Sequence, residues 1–130
     1  MSTGQASVSV SRTGITGIMG PLLSLDLRCC GTRTIIEVSG ELDMHTAHLL
    51  TELVEQTAQH RPTEVVLDMA NVSFFCADGL RALLHARHTV ATAGGQLLLR
   101  DPSPRTCRIL TITRMVDLFP HETTTAPAAV

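Results

Sequence analysis

The sequence contains no lysine, so all ten of its basic residues are arginines. A chain without lysine has no lysine nucleophile, no Schiff-base lysine and no phosphate-binding loop of the lysine type. Tryptophan and tyrosine are also absent, which leaves Phe74, Phe75 and Phe119 as the only aromatic residues. Single-stranded nucleic acids stack on exposed aromatic residues. These three lie in apolar surroundings and are better explained as core residues.

The charge and the cysteines narrow the class of protein further. A net charge of -2 gives no broad basic surface, so no nucleic-acid partner is expected. The four cysteines have neither CxxC nor zinc-ligand spacing, so no metal and no other cofactor is expected. No run approaches the roughly 18 apolar residues of a membrane span. With few cysteines and no signal peptide, the sequence predicts a cytoplasmic protein that does not enter a membrane.

The composition divides the chain into one domain and two tails. Residues 1–20 are rich in serine, threonine and glycine, which predicts a flexible N-terminal tail. Residues 121–130 are rich in threonine, alanine and proline, which predicts a frayed C-terminal tail. A single domain is therefore expected over residues 21–120.

Strand and helix patterns alternate within this domain. Strands are predicted around 23–27, 35–38, 64–69, 96–100 and, as a short closing strand, 116–119, and helices over 46–60, 78–93 and a third segment after Ser103. This order predicts an α/β fold in which a mixed sheet of four to five strands packs with about three to four helices.

The helix boundaries carry more specific expectations. Thr46 and Ser103 are predicted to be the N-caps of the first and third helices. The apolar side of the third helix is expected to comprise Cys107, Leu110, Ile112 and Met115.

Four segments in order resemble the STAS domain family. They are TIIEVSGELDMHTA at 34–47, VVLDMANVSFFCADGLRALL at 65–84, GGQLLLRDPSP at 94–104 and RILTITRMVDLF at 108–119. The resemblance covers roughly residues 22–120 and implies a STAS-like fold. It also implies a bacterial anti-sigma factor antagonist, which binds an anti-sigma factor, often a serine kinase, and thereby frees a sigma factor for transcription. Such a protein binds other proteins and is not an enzyme.

The sequence departs from the family at the regulatory position. In the family, the partner kinase phosphorylates a serine or threonine directly before the glycine that opens the second helix, and the phosphate blocks docking. Here that stretch reads Cys76-Ala77-Asp78-Gly79, so Asp78 replaces the phospho-acceptor. Ser73 is the nearest hydroxyl and lies too far from the helix start. The usual phosphorylation switch is therefore expected to be absent.

Three interpretations of Asp78 follow. It can be a residue that favours a helix start, because a carboxylate there is stabilised by about 0.3–1 kcal/mol. It can mimic a phosphate in part, with one charge where a phosphate has about -1.5 to -2. It can also be accepted by an arginine of the partner. Gly79 equally allows a partner to approach closely or the helix to pack closely on the sheet.

The resemblance places the partner-binding surface at two neighbouring loops. Its predicted residues are Glu41, Asp43, Cys76, Ala77, Asp78, Gly79, Leu80 and Arg81. The position of Asp43 near a helix start is most simply that of a cap.

The cysteine beside Asp78 suggests a different form of control. Cys76 precedes a helix N-terminus, where a thiol becomes more reactive, and Cys107 lies near the start of the third helix. We hypothesise that these two thiols form a redox-sensitive disulfide. The alternative is that both are small buried apolar residues.

A small-ligand sensor, such as a nucleotide-binding STAS module, is the alternative function. No GxGxxG or GxxxxGK[ST] motif supports it. The oligomeric state is expected to be a monomer or a weak homodimer.

Overall fold

The computed structural model describes residues 7–11 and 23–122 of the chain. The strands are β1 (Ser7–Ser11), β2 (Leu23–Cys30), β3 (Arg33–Leu42), β4 (Glu64–Phe75), β5 (Gln96–Arg100) and β6 (His121–Glu122). The helices are α1 (Ala47–Ala58), α2 (Ala77–Thr92) and α3 (Pro104–Ile112), and a short 3-10 helix spans Val116–Leu118.

The strands form one mixed sheet in the order β1-β2-β3-β4-β5-β6. The β1–β2 and β2–β3 pairs are antiparallel, whereas the pairs from β3 to β6 are parallel. Leu50 of α1, Leu83 of α2 and Leu110 of α3 share one core cluster with Ile36 and Leu67 of the central strands. All three helices therefore contribute to the core on the same face of the sheet, and the predicted α/β fold is confirmed.

Two short edge strands bring the described sheet to six strands, above the four to five expected. Residues 7–11 form β1 where a flexible tail was predicted, and β6 extends two residues into the predicted C-terminal tail. The alternation in SVSVS is the pattern of a strand, and β2 supplies its hydrogen-bonding partner. The rest of both predicted tails lies outside the described residues.

The predicted closing strand at 116–119 is wrong. Val116–Leu118 is a 3-10 helix, and β6 begins only at His121. Arg114 has a φ of 61°, a left-handed conformation that ends α3 and redirects the chain. The side chain of Phe119 is then buried in the core, while Arg87 of α2 donates a hydrogen bond to the Leu118 carbonyl at 2.8 Å.

The predicted apolar side of α3 is partly wrong as well. Cys107 and Ile112 are exposed, whereas Thr106 and Leu110 are buried. Thr106 can be buried because its hydroxyl lies 3.1 Å from that of Ser103. This burial rotates the packed face of the helix away from the face predicted from apolar residues alone.

An ion cluster attaches β6 to the sheet. The Glu122 carboxylate accepts a hydrogen bond from Arg100 at 2.7 Å and another from Arg33 of β3. These contacts, with the Arg100 hydrogen bond as the largest cause, hold the pKa of Glu122 below its ordinary value. Arg33 and Arg100 alternate with the core-facing residues of their strands, so the cluster lies on the face opposite the helices.

Candidate docking site

The loops that follow β3 and β4 lie side by side at one edge of the sheet. Leu42 and Phe75, near the ends of these parallel strands, are direct register partners. The Cys76 thiol points at the Leu42 carbonyl, with an Sγ to O distance of 3.6 Å. Helices α1 and α2 both begin directly after this edge. The two loops named in the sequence analysis are therefore neighbours.

Asp43 organises the first loop. Its Oδ1 accepts backbone hydrogen bonds from His45 at 2.8 Å and from Thr46 at 3.1 Å. The Thr46 hydroxyl turns back to donate to the Glu41 carbonyl at 2.7 Å and makes no side-chain cap with α1. Thr46 is the N-cap residue of α1, as predicted, although its side chain makes no capping hydrogen bond. The Asp43 side chain instead caps the turn that leads into the helix.

Asp78 lies in the first turn of α2 and is paired within its own helix. Its Oδ1 accepts a hydrogen bond from Arg81 Nη1 at 2.9 Å. The Asp78 side chain is 37% exposed and that of Arg81 is 73% exposed, so the pair lies at the surface. Cys76, at the N-cap position, makes no side-chain cap with α2. The negative charge at this helix start is therefore offset by an arginine three residues later.

Gly79 serves close packing of α2 on the sheet. A Cβ at this position would lie 2.9 Å from two ring atoms of Phe75 and 3.3 Å from the Cβ of Leu42. Gly79 and Leu80 are both buried. Of the residues predicted to bind a partner, these two lie beneath the surface and shape it from below.

Two apolar residues near this edge are exposed, which the sequence patterns did not predict. Met44 is 69% exposed in the loop after β3, and Phe74 is 40% exposed near the end of β4. Phe75 and Phe119 are buried as predicted, so the assignment of Phe74 to the core is wrong. Adjacent residues of a strand point to opposite faces, so only one residue of the pair Phe74–Phe75 could be expected to face the core.

The two cysteines of the redox hypothesis are both free thiols. Cys107 is exposed, and its Sγ lies 3.5 Å from the Pro102 carbonyl. The Cys76 thiol thus faces a carbonyl at the end of β3, and the Cys107 thiol faces one in the loop before α3. Their pairing stays a hypothesis. Within residues 7–11 and 23–122, no group of side chains could hold a metal ion. No helix in that part of the chain is long and apolar enough to cross a membrane.

A profile of the STAS domain matches residues 25–128. The match covers most of the chain, so the protein belongs to the STAS domain family, as its four sequence segments predicted.

The relatives found by comparison include anti-sigma factor antagonists. The chain is 29% identical over 87 residues to an anti-sigma F factor antagonist of Paenibacillus polymyxa, covering 66% of this chain and 74% of that one. It is similar to the crystal structure of an anti-sigma factor antagonist from Mycobacterium paratuberculosis, with a TM-score of 0.70, 24% identity, and coverage of 79% and 86%. The phosphorylated form of the Bacillus cell fate determinant SpoIIAA gives a TM-score of 0.63 at 17% identity, with coverage of 78% and 91%. These structural likenesses establish the fold.

Proposed function

We propose that this protein is an anti-sigma factor antagonist that binds a kinase-type anti-sigma factor in the bacterial cytoplasm and thereby releases a sigma factor. Membership of the STAS family and the name of its Paenibacillus relative support this role. The role requires binding alone, so the protein acts as a regulator and not as an enzyme.

The exposure of Met44, in the loop after β3, and of Phe74, near the end of β4, carries the proposal. We call the surface formed by Met44, Phe74, Asp78 and Arg81 the docking edge. Aromatic residues, methionine and arginine are enriched where proteins bind each other. Here an exposed methionine follows β3, an exposed phenylalanine lies near the end of the adjacent strand β4, and a charged pair lies at the start of α2. Glu41, Asp43, Cys76 and Ala77 complete the surrounding surface.

The Asp78–Arg81 pair suggests how docking is regulated. A phosphoserine adds about -1.5 to -2 charges and three acceptor oxygens. Asp78 adds one charge, and Arg81 offsets it at 2.9 Å. The docking edge therefore lacks the uncompensated negative charge that a phosphate would bring. We infer that docking is constitutive and that ATP does not control it.

Replacing Phe74 tests the position of the docking edge. Purified wild-type protein should bind an anti-sigma factor encoded beside it, measured by surface plasmon resonance. Phe74→Ala should weaken this binding at least about fivefold, because truncation of a central aromatic side chain typically costs more than about 1 kcal/mol. Leu118→Ala is the matched control, since Leu118 is 37% exposed and lies after α3. Equal effects of both variants would contradict the proposed surface, and the absence of binding to every candidate would contradict the function.

The small-ligand alternative has its own test. Titration of the wild-type protein with ATP and GTP in a calorimeter should give no heat of binding if the protein acts by docking alone. A saturable heat would favour a nucleotide-sensing module.

A further inference from the structure

The outer side of α3 carries an unusual set of exposed side chains. Arg105, Arg108 and Ile112 are spaced i, i+3 and i+7, so they form one stripe along the helix. All three are exposed, and Ile112 is 66% exposed. The buried residues Thr106 and Leu110 lie on the other side of the helix. We call Arg105, Arg108 and Ile112 the α3 stripe.

The guanidinium groups of the α3 stripe have no partner within the described part of the chain. The other arginines of the domain mostly do: Arg28, Arg33, Arg81 and Arg100 form ion pairs, and Arg87 bonds to a carbonyl. No aspartate or glutamate occurs from residue 102 to residue 116, a stretch with three arginines. A chain of net charge -2 thus concentrates unpaired positive charge on one helix.

The position of Arg105 does not favour the stability of α3. Arg105 is the second residue of the helix, where the helix dipole disfavours a positive charge. Acidic residues, which the dipole would favour, are absent from the first turn. The positive charge of Arg105 therefore destabilises the first turn of α3 slightly. Such local costs are common for residues with a binding role.

The location of the stripe relates it to the docking edge. Helices α2 and α3 follow the carboxyl ends of the parallel strands β4 and β5, but β4 continues from Met69 to Phe75 beyond its pairing with β5. The Ser103 amide at the start of α3 bonds to the Met69 carbonyl, so a partner seated on the docking edge would have to extend back along β4 to reach the outer side of α3.

We propose that the α3 stripe binds an acidic segment of the anti-sigma factor. This inference rests on the proposed function and adds the chemistry of the partner. Arg105 and Arg108 would pair with carboxylates, for which the planar guanidinium is well suited, and Ile112 would contact an apolar side chain beside them. Charges at the rim of an interface act mainly on the association rate and its salt dependence.

The test measures association and dissociation rates with the same anti-sigma factor at low and high salt. Arg108→Ala is compared with Arg61→Ala, which removes an equally unpaired arginine from the turn between α1 and β4. Arg105→Ala/Arg108→Ala should associate about tenfold more slowly at low salt and show a weaker salt dependence, while Arg61→Ala should behave like wild type.

Ile112→Ala should dissociate severalfold faster, with Leu118→Ala as its control. Circular dichroism should show all variants folded.

The outcomes separate this inference from the proposed function. If wild type binds and the double variant keeps the wild-type association rate and salt slope, the α3 stripe has no role in docking. If Arg61→Ala slows association as much as Arg108→Ala, the effect is one of net charge, and the inference fails. If wild type binds no anti-sigma factor, the proposed function itself fails.

Discussion

Helices α2 and α3 both follow the carboxyl ends of parallel strands, but their first turns are built differently. Ser103 caps α3, accepting a hydrogen bond from the Thr106 amide at 3.4 Å, and Pro104 follows at the first helical position. Cys76 occupies the equivalent position of α2 in an extended conformation and makes no cap. The sequence thus stabilises the start of α3, whereas the amides at the start of α2 have no side-chain partner among the described residues.

The two helix starts also differ in their exposure. Ser103 and Thr106 are buried, so the start of α3 belongs to the core. At the start of α2, Ala77 is exposed and Asp78 is partly exposed, while Gly79 is packed below them. The buried start of α3 thus has a capping side chain, whereas the exposed start of α2 lacks one. Departures from such local preferences are expected at functional sites, which favours a binding role for the start of α2.

The largest effect is expected from Gly79→Ala, which tests the packing beneath the α2 start. Alanine usually favours a helix, but its Cβ would lie 2.9 Å from the Phe75 ring. Overpacking should outweigh the gain and lower the free energy of unfolding by about 2 kcal/mol. Urea unfolding measures the change. In combination with Phe75→Leu the penalty should shrink, and an unchanged penalty would assign it to another cause.

A smaller loss is expected from Ser103→Ala, which removes the cap of α3. The change should cost about 1 kcal/mol, because the Thr106 amide loses its acceptor. Thermal unfolding measures it, and binding to the anti-sigma factor should not change. A variant as stable as wild type would show that the two helix starts do not differ in capping.

A gain is expected from Cys76→Ser, which gives α2 the capping residue that it lacks. The extended backbone at this position suits a cap, so stability should rise by about 0.5 kcal/mol. Cys76→Ala is the matched control, because it removes the thiol and adds no acceptor. If the serine variant is no more stable than the alanine variant, the α2 start is not short of a cap.

The smallest change in stability is expected from Arg81→Ala. An exposed ion pair at i, i+3 contributes at most about 0.5 kcal/mol. Binding should weaken more clearly, because the charge of Asp78 is then uncompensated at the docking edge. Asp78→Asn/Arg81→Ala should recover part of the affinity. If Arg81→Ala binds like wild type, Arg81 does not offset Asp78.

The sequence predicted the fold well where the apolar pattern is strong. The strands at 64–69 and 96–100 and all three helices are present, because their periodicity reflects burial against one core. The short strand β6 has no such pattern, since hydrogen bonds to β5 and the ion pairs of Glu122 hold it in place. The prediction of which side of α3 is buried was partly wrong, because Thr106 is polar and was not expected in the core. Its hydrogen bond with Ser103 allows it to be buried.

The sequence predicted that the two loops of the candidate site are neighbours, but not the side-chain contacts within them. The family pattern placed the site at the loops after β3 and β4, and the parallel register brings these loops together. The burial of Gly79 and the pairing of Asp78 with Arg81 depend on side-chain geometry that spacing does not specify. The exposure of Phe74 followed from strand alternation, but the apolar character of Phe74–Phe75 concealed it.

We propose that the α2 start docks without a phosphorylation switch. The most direct test follows the complex with a kinase-type anti-sigma factor before and after ATP is added, for wild type and Asp78→Ser. We expect wild type to stay bound and take up no phosphate, whereas Asp78→Ser should be phosphorylated and released. Release of the wild-type protein by ATP, or an Asp78→Ser variant that ATP leaves unphosphorylated and bound, would contradict the proposal.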